Sequence, residues 1–463
     1  MVRIYIDIHQ NGSYEQQITC SEGANLYRIL TDAKLTLSRA VCRGSGVCRG
    51  CQVYIVEEGM ECLACQYTVM HDIHIRIHET AEACSILLSQ AGISEPKQKL
   101  KPDTPLGLAV DIGTTTIASA LVELEHGTLL AQAGCMNRQA AHGADVISRI
   151  QYTVAHATDS PSGILRMHQE LMQDIDSLIK HYETLGYSRS RIKRISYSGN
   201  TTMLHFLMEQ PVSGMAGYPF TPEFLDSRRY EENGIEHLVL PGKSAFVGAD
   251  IVAGVQYLKL GQTETYELLI DLGTNGELFL LNHTRGVCTS ASCGPAFANS
   301  VKKGTIYGTT LLEHLADAVT KGLITKDGVI KEPYFETGIP CGEYVITQEA
   351  VREIQLAKAA IRTGIELAAY ELRLPLSEIR TIYLAGGFGF YLNLESAYIL
   401  GLLPEEFRDK VEIVGNTSLE GAIQALLHPQ HMLTLPDNVR QSTVLDLSMS
   451  KNFQEFFLHR ISF

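Results

Sequence analysis

Val110-Asp111-Ile112-Gly113-Thr114-Thr115 recurs 160 positions further on as Ile270-Asp271-Leu272-Gly273-Thr274-Asn275. Each copy follows an apolar run (106–110 and 268–270) and precedes another (117–122 and 278–281). A strand, a glycine turn and a second strand, present twice, predict two similar lobes facing one another across a cleft. An aspartate at a strand end suits a hydrated Mg²⁺, which takes one or two carboxylates and keeps several waters. The N–H and hydroxyl groups that follow can cradle phosphate oxygens. On this reading Asp111 is the first Mg²⁺ candidate and Asp271 the second, with Gly113, Thr114, Thr115, Gly273, Thr274, Asn275 and Gly276 around the phosphates. Glu277 and Asp250, the latter within Gly248-Ala249-Asp250, are candidates to orient the attacking water or metal-bound water. Each of these carboxylates could instead cap a helix or pair with a base.

Three more segments surround these two turns. Tyr383-Leu384-Ala385-Gly386-Gly387-Phe388-Gly389 is an apolar strand opening into a glycine turn, against which a flat adenosine can lie, so Gly386, Gly387 and Phe388 join the candidates. Ser198-Gly199-Asn200-Thr201-Thr202, with Asn200 as its candidate ligand residue, and Asn416 through Gly421-Ala422 are suited to connect the turns. The triplet Gly242-Lys243-Ser244 is not a phosphate loop, because His237 stands where the first glycine is required. In this order the five segments resemble the phosphate-1, connect-1, phosphate-2, adenosine and connect-2 motifs of the actin, Hsp70 and sugar-kinase superfamily, over about residues 107–425. The resemblance implies a two-lobed RNase H-like ATPase that binds ATP with Mg²⁺.

Residues 1–85 have a different character. Ile4, Ile6 and Ile8 alternate with polar neighbours, Asn11-Gly12 is a hairpin turn, and a second strand returns to Cys20. Leu26, Ile29, Leu30 and Ala33 have helical spacing, and strand patterns follow at 52–56 and 73–77. Between them, Cys42-Arg43-Gly44-Ser45-Gly46-Val47-Cys48-Arg49-Gly50-Cys51 sets three thiols at C-x5-C-x2-C. Thiolates so spaced, with glycines that let backbone N–H groups approach the sulfurs, suit one edge of an iron–sulfur cluster. Zinc is the rival metal, since Cys62-Leu63-Ala64-Cys65 offers a second C-x2-C knuckle. Cys65, Cys62 and Cys84 are the candidates for a fourth ligand. Leu63-Ala64-Cys65-Gln66 looks like the final-ligand segment of 2Fe–2S ferredoxins, and that resemblance selects Cys42, Cys48, Cys51 and Cys65. Cys20, Cys84, Cys135, Cys288, Cys293 and Cys341 read as ordinary buried thiols. His74, Arg76 and His78 share a solvated strand face, a simpler account than a Rieske site.

A polar linker at 86–105, with three prolines and three lysines in its last fifteen residues, separates this unit from the ATPase at 106–463. Composition adds exclusions. A net charge of −14 argues against non-specific nucleic-acid binding, and no long apolar run predicts a membrane span. The alternating N-terminus is not a signal peptide, and eleven cysteines without one point to metal and to the cytoplasm.

The whole arrangement, an α/β multi-domain chain with a β-grasp-like 2Fe–2S ferredoxin before an ATPase, resembles the reductive activators of corrinoid proteins. Gly199-Asn200-Thr201-Thr202-Met203, Gly294-Pro295-Ala296-Phe297, Gly401-Leu402-Leu403-Pro404 and Val414-Gly415-Asn416 also look like that family. The resemblance implies ATP-dependent transfer of one electron from the cluster to the Co(II) of a corrinoid methyltransferase protein, regenerating Co(I). It also implies a low-potential electron donor and leaves a homodimer open. The chain departs from the family's pattern at Ala298, where Glu is common, and at Arg43 and Arg49, where small residues are frequent. Larger members carry a further domain where this chain has the short linker. ATP has a reason to be present: a plant-type cluster sits near about −400 mV, and each ~59 mV of uphill gap costs about tenfold for one electron. The alternatives are a small-molecule kinase on the same fold, or an ATP-driven activator of another low-potential metalloenzyme.

Overall fold

The computed structural model describes residues 2–10, 12–33, 51–77, 101, 103–273, 275–293, 297, 301–302, 305–306, 308–342 and 344–463. Its first unit is a five-stranded sheet. Strand β1 (Val2–Gln10) pairs antiparallel with β2 (Gly12–Cys20), a register that closes on Gln10 opposite Gly12 as the hairpin signal required. After the short β3 (Ala24–Asn25) comes α1 (Leu26–Asp32), capped by the Asn25 side chain. The antiparallel hairpin of β4 (Gln52–Ile55) and β5 (Met60–Leu63) precedes β6 (Thr68–Val69), which pairs with β3, and β7 (Ile73–Ile77). The sheet order β2-β1-β7-β4-β5, with β1 and β7 parallel at its centre, is the β-grasp arrangement. Alternation explains the burial: Ile4, Ile6, Val53, Ile73 and Ile75 face Leu26 and Leu30 of α1, while Arg3 and Tyr5 are exposed. His78 lies outside the described residues.

The remainder of the chain builds the same sheet twice. The first lobe contains β8 (Leu106–Ile112), β9 (Thr116–Glu123), β10 (Leu129–Met136), β11 (Ile192–Gly199), β12 (Arg228–Glu232) and β13 (Ile235–Val239), in the order β10-β9-β8-β11-β13-β12. The second contains β14 (Tyr266–Leu272), β15 (Asn275–Leu281) and β16 (Gly286–Ser292). Two short ribbons follow, β17 (Val301–Lys302) with β18 (Thr305–Ile306) and β19 (Ile339–Cys341) with β20 (Tyr344–Ile346). Then come β21 (Ile379–Ala385), β22 (Val411–Gly415) and β23 (Thr443–Val444), giving the order β22-β21-β14-β15-β16-β23. In each lobe an antiparallel three-stranded meander is extended by two parallel strands beside its first strand. That duplication is the two-lobe architecture the repeated glycine turns predicted.

Helices cover both faces of each sheet. In the first lobe α2 (Val146–Ala155), α3 (Gly163–Thr184) and α4 (Thr201–Leu207) pack outside, and α5 (Ala249–Tyr257) follows β13. In the second, α6 (Thr309–Thr320) and the long α7 (Gln348–Leu372) pack outside. Two short helices come next, α8 (Gly386–Tyr391) and α9 (Leu394–Ile399), and α10 (Thr417–Leu427) follows β22. Because β8 and β14 are covered on both faces, their sequences read as continuous apolar runs instead of alternating ones. Leu108, Val110 and Ile112 enter the outer core while Ala109 meets α10; Ile270 and Leu272 enter the outer core while Leu269 meets α5.

The inner helices are exchanged between the lobes. Helix α5 follows the first lobe's strands yet packs Ile251, Val252 and Val255 on Leu269, Phe279 and Leu281 of the second. Helix α10 follows the second lobe's strands yet packs Leu419, Ala422 and Leu426 on Ala109, Ala118 and Ala120 of the first. They touch through small residues: a Cβ on Gly421 would stand 2.6 Å from Ala253 Cβ, and one on Gly254 would stand 2.5 Å from Thr417 Oγ1. Each lobe is thereby tied to a helix rooted in the other.

Candidate functional site

Four carboxylates gather where the strands of the two lobes end. Asp111 sits near the end of β8, Asp271 near the end of β14, and Glu277 on β15 directly across from Asp271. Asp250 lies in the first turn of α5, its Oδ1 accepting from Ile251 N at 2.9 Å. Burial raises all four, and repulsion from the neighbouring carboxylates adds to it at Asp250, Asp271 and Glu277. Burial, then Asp250 and Asp111, push Asp271 up to about 8. Burial and Asp111 raise Asp250, and burial with Asp250 and Asp271 raises Glu277. Asp111 is raised by burial, against two hydrogen bonds that favour its charge.

The arrangement suits a hydrated divalent ion better than a protein cage. No three of these four offer ligand oxygens all within 4.8 Å of one another, whereas several acidic groups facing one space favour a cation there. Mg²⁺ fits such a donor set, because it keeps its waters and takes its remaining ligands from phosphates. The described residues with ligand atoms that close together are Glu123, Glu125 and His126, where the Glu123 carboxylate already accepts from the Glu125 and His126 N–H groups. That cluster is a turn cap.

The two connecting segments hold the first turn. Asn416, the N-cap of α10, donates from Nδ2 to Asp111 Oδ2 at 2.9 Å, and Ser418 Oγ donates to Asp111 Oδ1 at 2.7 Å. A carboxylate of the first lobe is thus gripped by the helix rooted in the second. Asn200 caps α4 through Met203 N and donates from Nδ2 to Thr114 Oγ1 at 3.1 Å. Gly248 lets α5 approach this segment, since a Cβ there would meet Asn200 Cα at 2.6 Å and Thr201 N at 2.7 Å.

The structure places the other sequence candidates unevenly. Gly273 closes the second turn, its N–H donating to Asn275 O at 2.8 Å, while Thr274 lies outside the described residues. Gly276 is buried in the core instead, where a Cβ would collide with Ile361 Cδ1 at 1.9 Å. The segment after β21 is the start of α8 and not an open turn. Gly386, at φ +84°, brings that backbone against Asp271, whose Oδ1 would lie 2.4 Å from a Cβ there. Gly387 is the next residue of the same helix. The Phe388 side chain turns inward and stacks on Phe297 with centroids 4.4 Å apart, so it packs the core and only its backbone is left for a ligand. Asn137 and Arg149, both in contact with the first turn, carried no motif by which the sequence would have singled them out, whereas Ser418 lies within the connecting segment that begins at Asn416.

In the β-grasp unit, Cys51 precedes β4 and is fully buried, and Cys65 follows β5 in a 3-10 turn. They meet at the open end of the hairpin, where Ala64 N donates to Cys51 O at 2.8 Å and Asn25 Nδ2 donates to Cys65 O at 2.9 Å. Cys62 sits further into the hairpin, opposite Val53. Cys42, Cys48 and Cys84 lie outside the described residues. Two cysteines brought to one hairpin end fit an iron–sulfur cluster. Cys288 and Cys293 are buried, Cys20, Cys135 and Cys341 half-buried, and none of the five forms a disulfide among the described residues.

With this geometry in view, the comparisons with known proteins are specific. Residues 106–263 match the RACo middle region, and 265–305 with 298–463 match the C-terminal domain of RACo, the ASKHA domain. The stretch matched as the middle region is the first lobe described above and begins at β8. The chain is 25% identical to the corrinoid activation enzyme RamQ of Eubacterium limosum, across 97% of this chain and 98% of that one. It is 22% identical, over 77% of each chain, to the [Co(II) methylated amine-specific corrinoid protein] reductase of Methanosarcina barkeri. Among solved structures it resembles the reductive activator for corrinoid, iron-sulfur protein, at a TM-score of 0.70 and 25% identity, covering 100% of this chain and 98% of that one. The chain belongs to the RACo family, with an actin- and sugar-kinase-like ASKHA fold.

Proposed function

We propose that this chain is an ATP-dependent reductive activator of a corrinoid protein, passing one electron from a 2Fe–2S cluster to a Co(II) centre to regenerate Co(I). The observation that carries the reading is the joining, in one RACo-family chain, of a carboxylate-lined ASKHA cleft to a β-grasp unit with Cys51 and Cys65 at one hairpin end. The cluster supplies a one-electron carrier, with Cys42, Cys48, Cys51 and Cys65 as its ligands.

The chain's own groups do the remaining work. Asp111 and Asp271 would hold a hydrated Mg²⁺, while Gly113, Thr114, Thr115, Gly273, Thr274 and Asn275 would take the phosphates. Glu277 and Asp250 would orient the attacking water. Asn416 and Ser418 report the state of Asp111 directly to α10. ATP can drive the electron only by binding one arrangement of lobes and partner better than another. The crossing of α5 and α10 is where such arrangements would differ.

A partner corrinoid protein and a low-potential donor complete the reaction. No helix among the described residues is long and apolar enough to cross a membrane. The described cysteines form no disulfide, which supports a reducing compartment, and we place the reaction in the cytoplasm. The test is anaerobic reconstitution with a Co(II) corrinoid protein: the Co(I) band should grow with reductant, chain and Mg·ATP together. Phosphate transfer to a sugar or acid instead would favour a kinase.

A further inference from the structure

Arg149, on α2, is one of the largest fully buried side chains in the molecule. Its Nε donates to Gly143 O at 2.9 Å and its Nη2 to Thr114 O at 2.5 Å. Its Nη1 reaches Gln139 Oε1 at 3.4 Å and Met203 Sδ at 3.5 Å. All four acceptors are neutral. Among the described residues Asp145 and Glu170 act on it only through space, and burial lowers its pKa to about 9. A buried cation held by neutral acceptors is costly, and such groups are usually paired.

Its position is informative. Thr114 belongs to the turn read as the first phosphate cradle. Beside it, Asn137 Nδ2 donates to Gly113 O at 2.9 Å, and Asn137 also lies 3.8 Å from Met203 Sδ. Across a trans peptide the N–H points opposite to its carbonyl. Fastening the Gly113 and Thr114 carbonyls from behind therefore aims the N–H groups of Thr114 and Thr115 to the other side of the turn. Met203 is also the residue whose N–H the Asn200 cap accepts, so the guanidinium touches both the phosphate-1 turn and the connect-1 helix.

We propose that Arg149 is a positioning residue for the nucleotide's phosphate chain: it orients the phosphate-1 turn from behind and sets beneath it a positive charge that makes no direct ion pair among the described residues. This rests on the reading of the cleft as an ATP site. The ligand's phosphates, not the adenosine, are what the arrangement recognises, and their negative charge adds to the distant Asp145 and Glu170 carboxylates in balancing the cation.

The experiment is calorimetric titration of the full chain with Mg·ATP, Mg·ADP and adenosine, for the parent protein, Arg149→Lys and Arg149→Met, with melting curves alongside. Arg149→Met should weaken Mg·ATP and Mg·ADP about ten- to a hundredfold and adenosine less than threefold. Arg149→Lys keeps the charge but cannot span Gly143 O and Thr114 O together, so it should restore part of the preference for ADP over adenosine. Should Arg149→Met not fold, the lysine variant decides alone, through an expected three- to tenfold loss in that preference. Equal weakening of all three ligands, or an ADP-to-adenosine ratio unchanged in the folded variants, overturns the proposal. A parent protein that binds neither ATP nor ADP instead overturns the nucleotide reading on which it rests.

Discussion

Replacing Gly421 by alanine adds one methyl at the point where the two exchanged helices touch. The new Cβ would lie 2.6 Å from Ala253 Cβ and 2.8 Å from Ala253 O. Carbon atoms rest at about 3.5–4.0 Å, so α10 must back away from α5 by roughly 1 Å. Overpacking of this kind costs about 1–3 kcal/mol, offset by the ~1 kcal/mol that alanine gains over glycine inside a helix. A net loss of about 1 kcal/mol lowers the melting temperature by ~2–4 °C at this domain size. The functional loss is larger. Ser418 stands three residues before Gly421 on the same helix and holds Asp111 at 2.7 Å. A 1 Å misplacement can cost about a hundredfold in a catalytic step, so ATP hydrolysis should fall ~10- to 100-fold. Gly254→Ala is the control, because its first obstacle is the Thr417 hydroxyl at 2.5 Å, which can rotate away more readily than a backbone. Melting and phosphate-release assays on both variants decide it. If Gly421→Ala melts and hydrolyses like the parent protein, the crossing does not couple Asp111 to α10.

Other perturbations test separate parts. Removing the two groups that grip Asp111, by Asn416→Ala or Ser418→Ala, should cost about 1–3 kcal/mol each and weaken Mg·ADP in titration; unchanged Mg·ADP binding would contradict the clamp. The raised carboxylates set a pH dependence: without Mg²⁺, Asp250 and Asp271 keep their protons in the folded chain up to about 7 and about 8, while in the unfolded chain they ionise near about 4. Stability should therefore fall as pH rises from about 4 towards about 8, where Asp271 ionises. Because Mg²⁺ must displace those protons, Mg·ADP should raise the melting temperature more at pH 8 than at pH 6, and Asp271→Asn should flatten the difference; a larger rise at pH 6 would refute the cluster. Cys51→Ser and Cys65→Ser should each reduce iron below about two per chain, while Cys62→Ser retains it; the reverse pattern at 62 and 65 would reassign the fourth ligand.

The repeat of Asp111-Ile112-Gly113 in Asp271-Leu272-Gly273 was enough to foresee two lobes, because a buried strand ending in a carboxylate and a tight turn leaves a local pattern. The alternation of Ile4, Ile6, Ile73 and Ile75 was equally legible in the first sheet. The exchange of α5 and α10 between lobes was not, since a helix's apolar face says that it is covered and not by which sheet. Nor did the sequence reveal that Gly276 and Phe388 serve the core, because a glycine or aromatic within a motif reads alike whether it meets a ligand or Ile361 and Phe297. Arg149 escaped for the same reason: a lone arginine on an amphipathic helix looks solvated until Gly143 and Thr114 are seen around it.

The most direct test of the central claim is spectral. A Co(II) corrinoid protein is incubated anaerobically with the cluster-loaded chain, a low-potential reductant and Mg·ATP, and each component is omitted in turn. The account predicts that the Co(II) band gives way to the Co(I) band only in the complete mixture, and that Asp111→Ala abolishes the change while the cluster spectrum stays intact. Equal Co(I) yield without ATP would contradict it, because the cleft would then have no part in driving the electron.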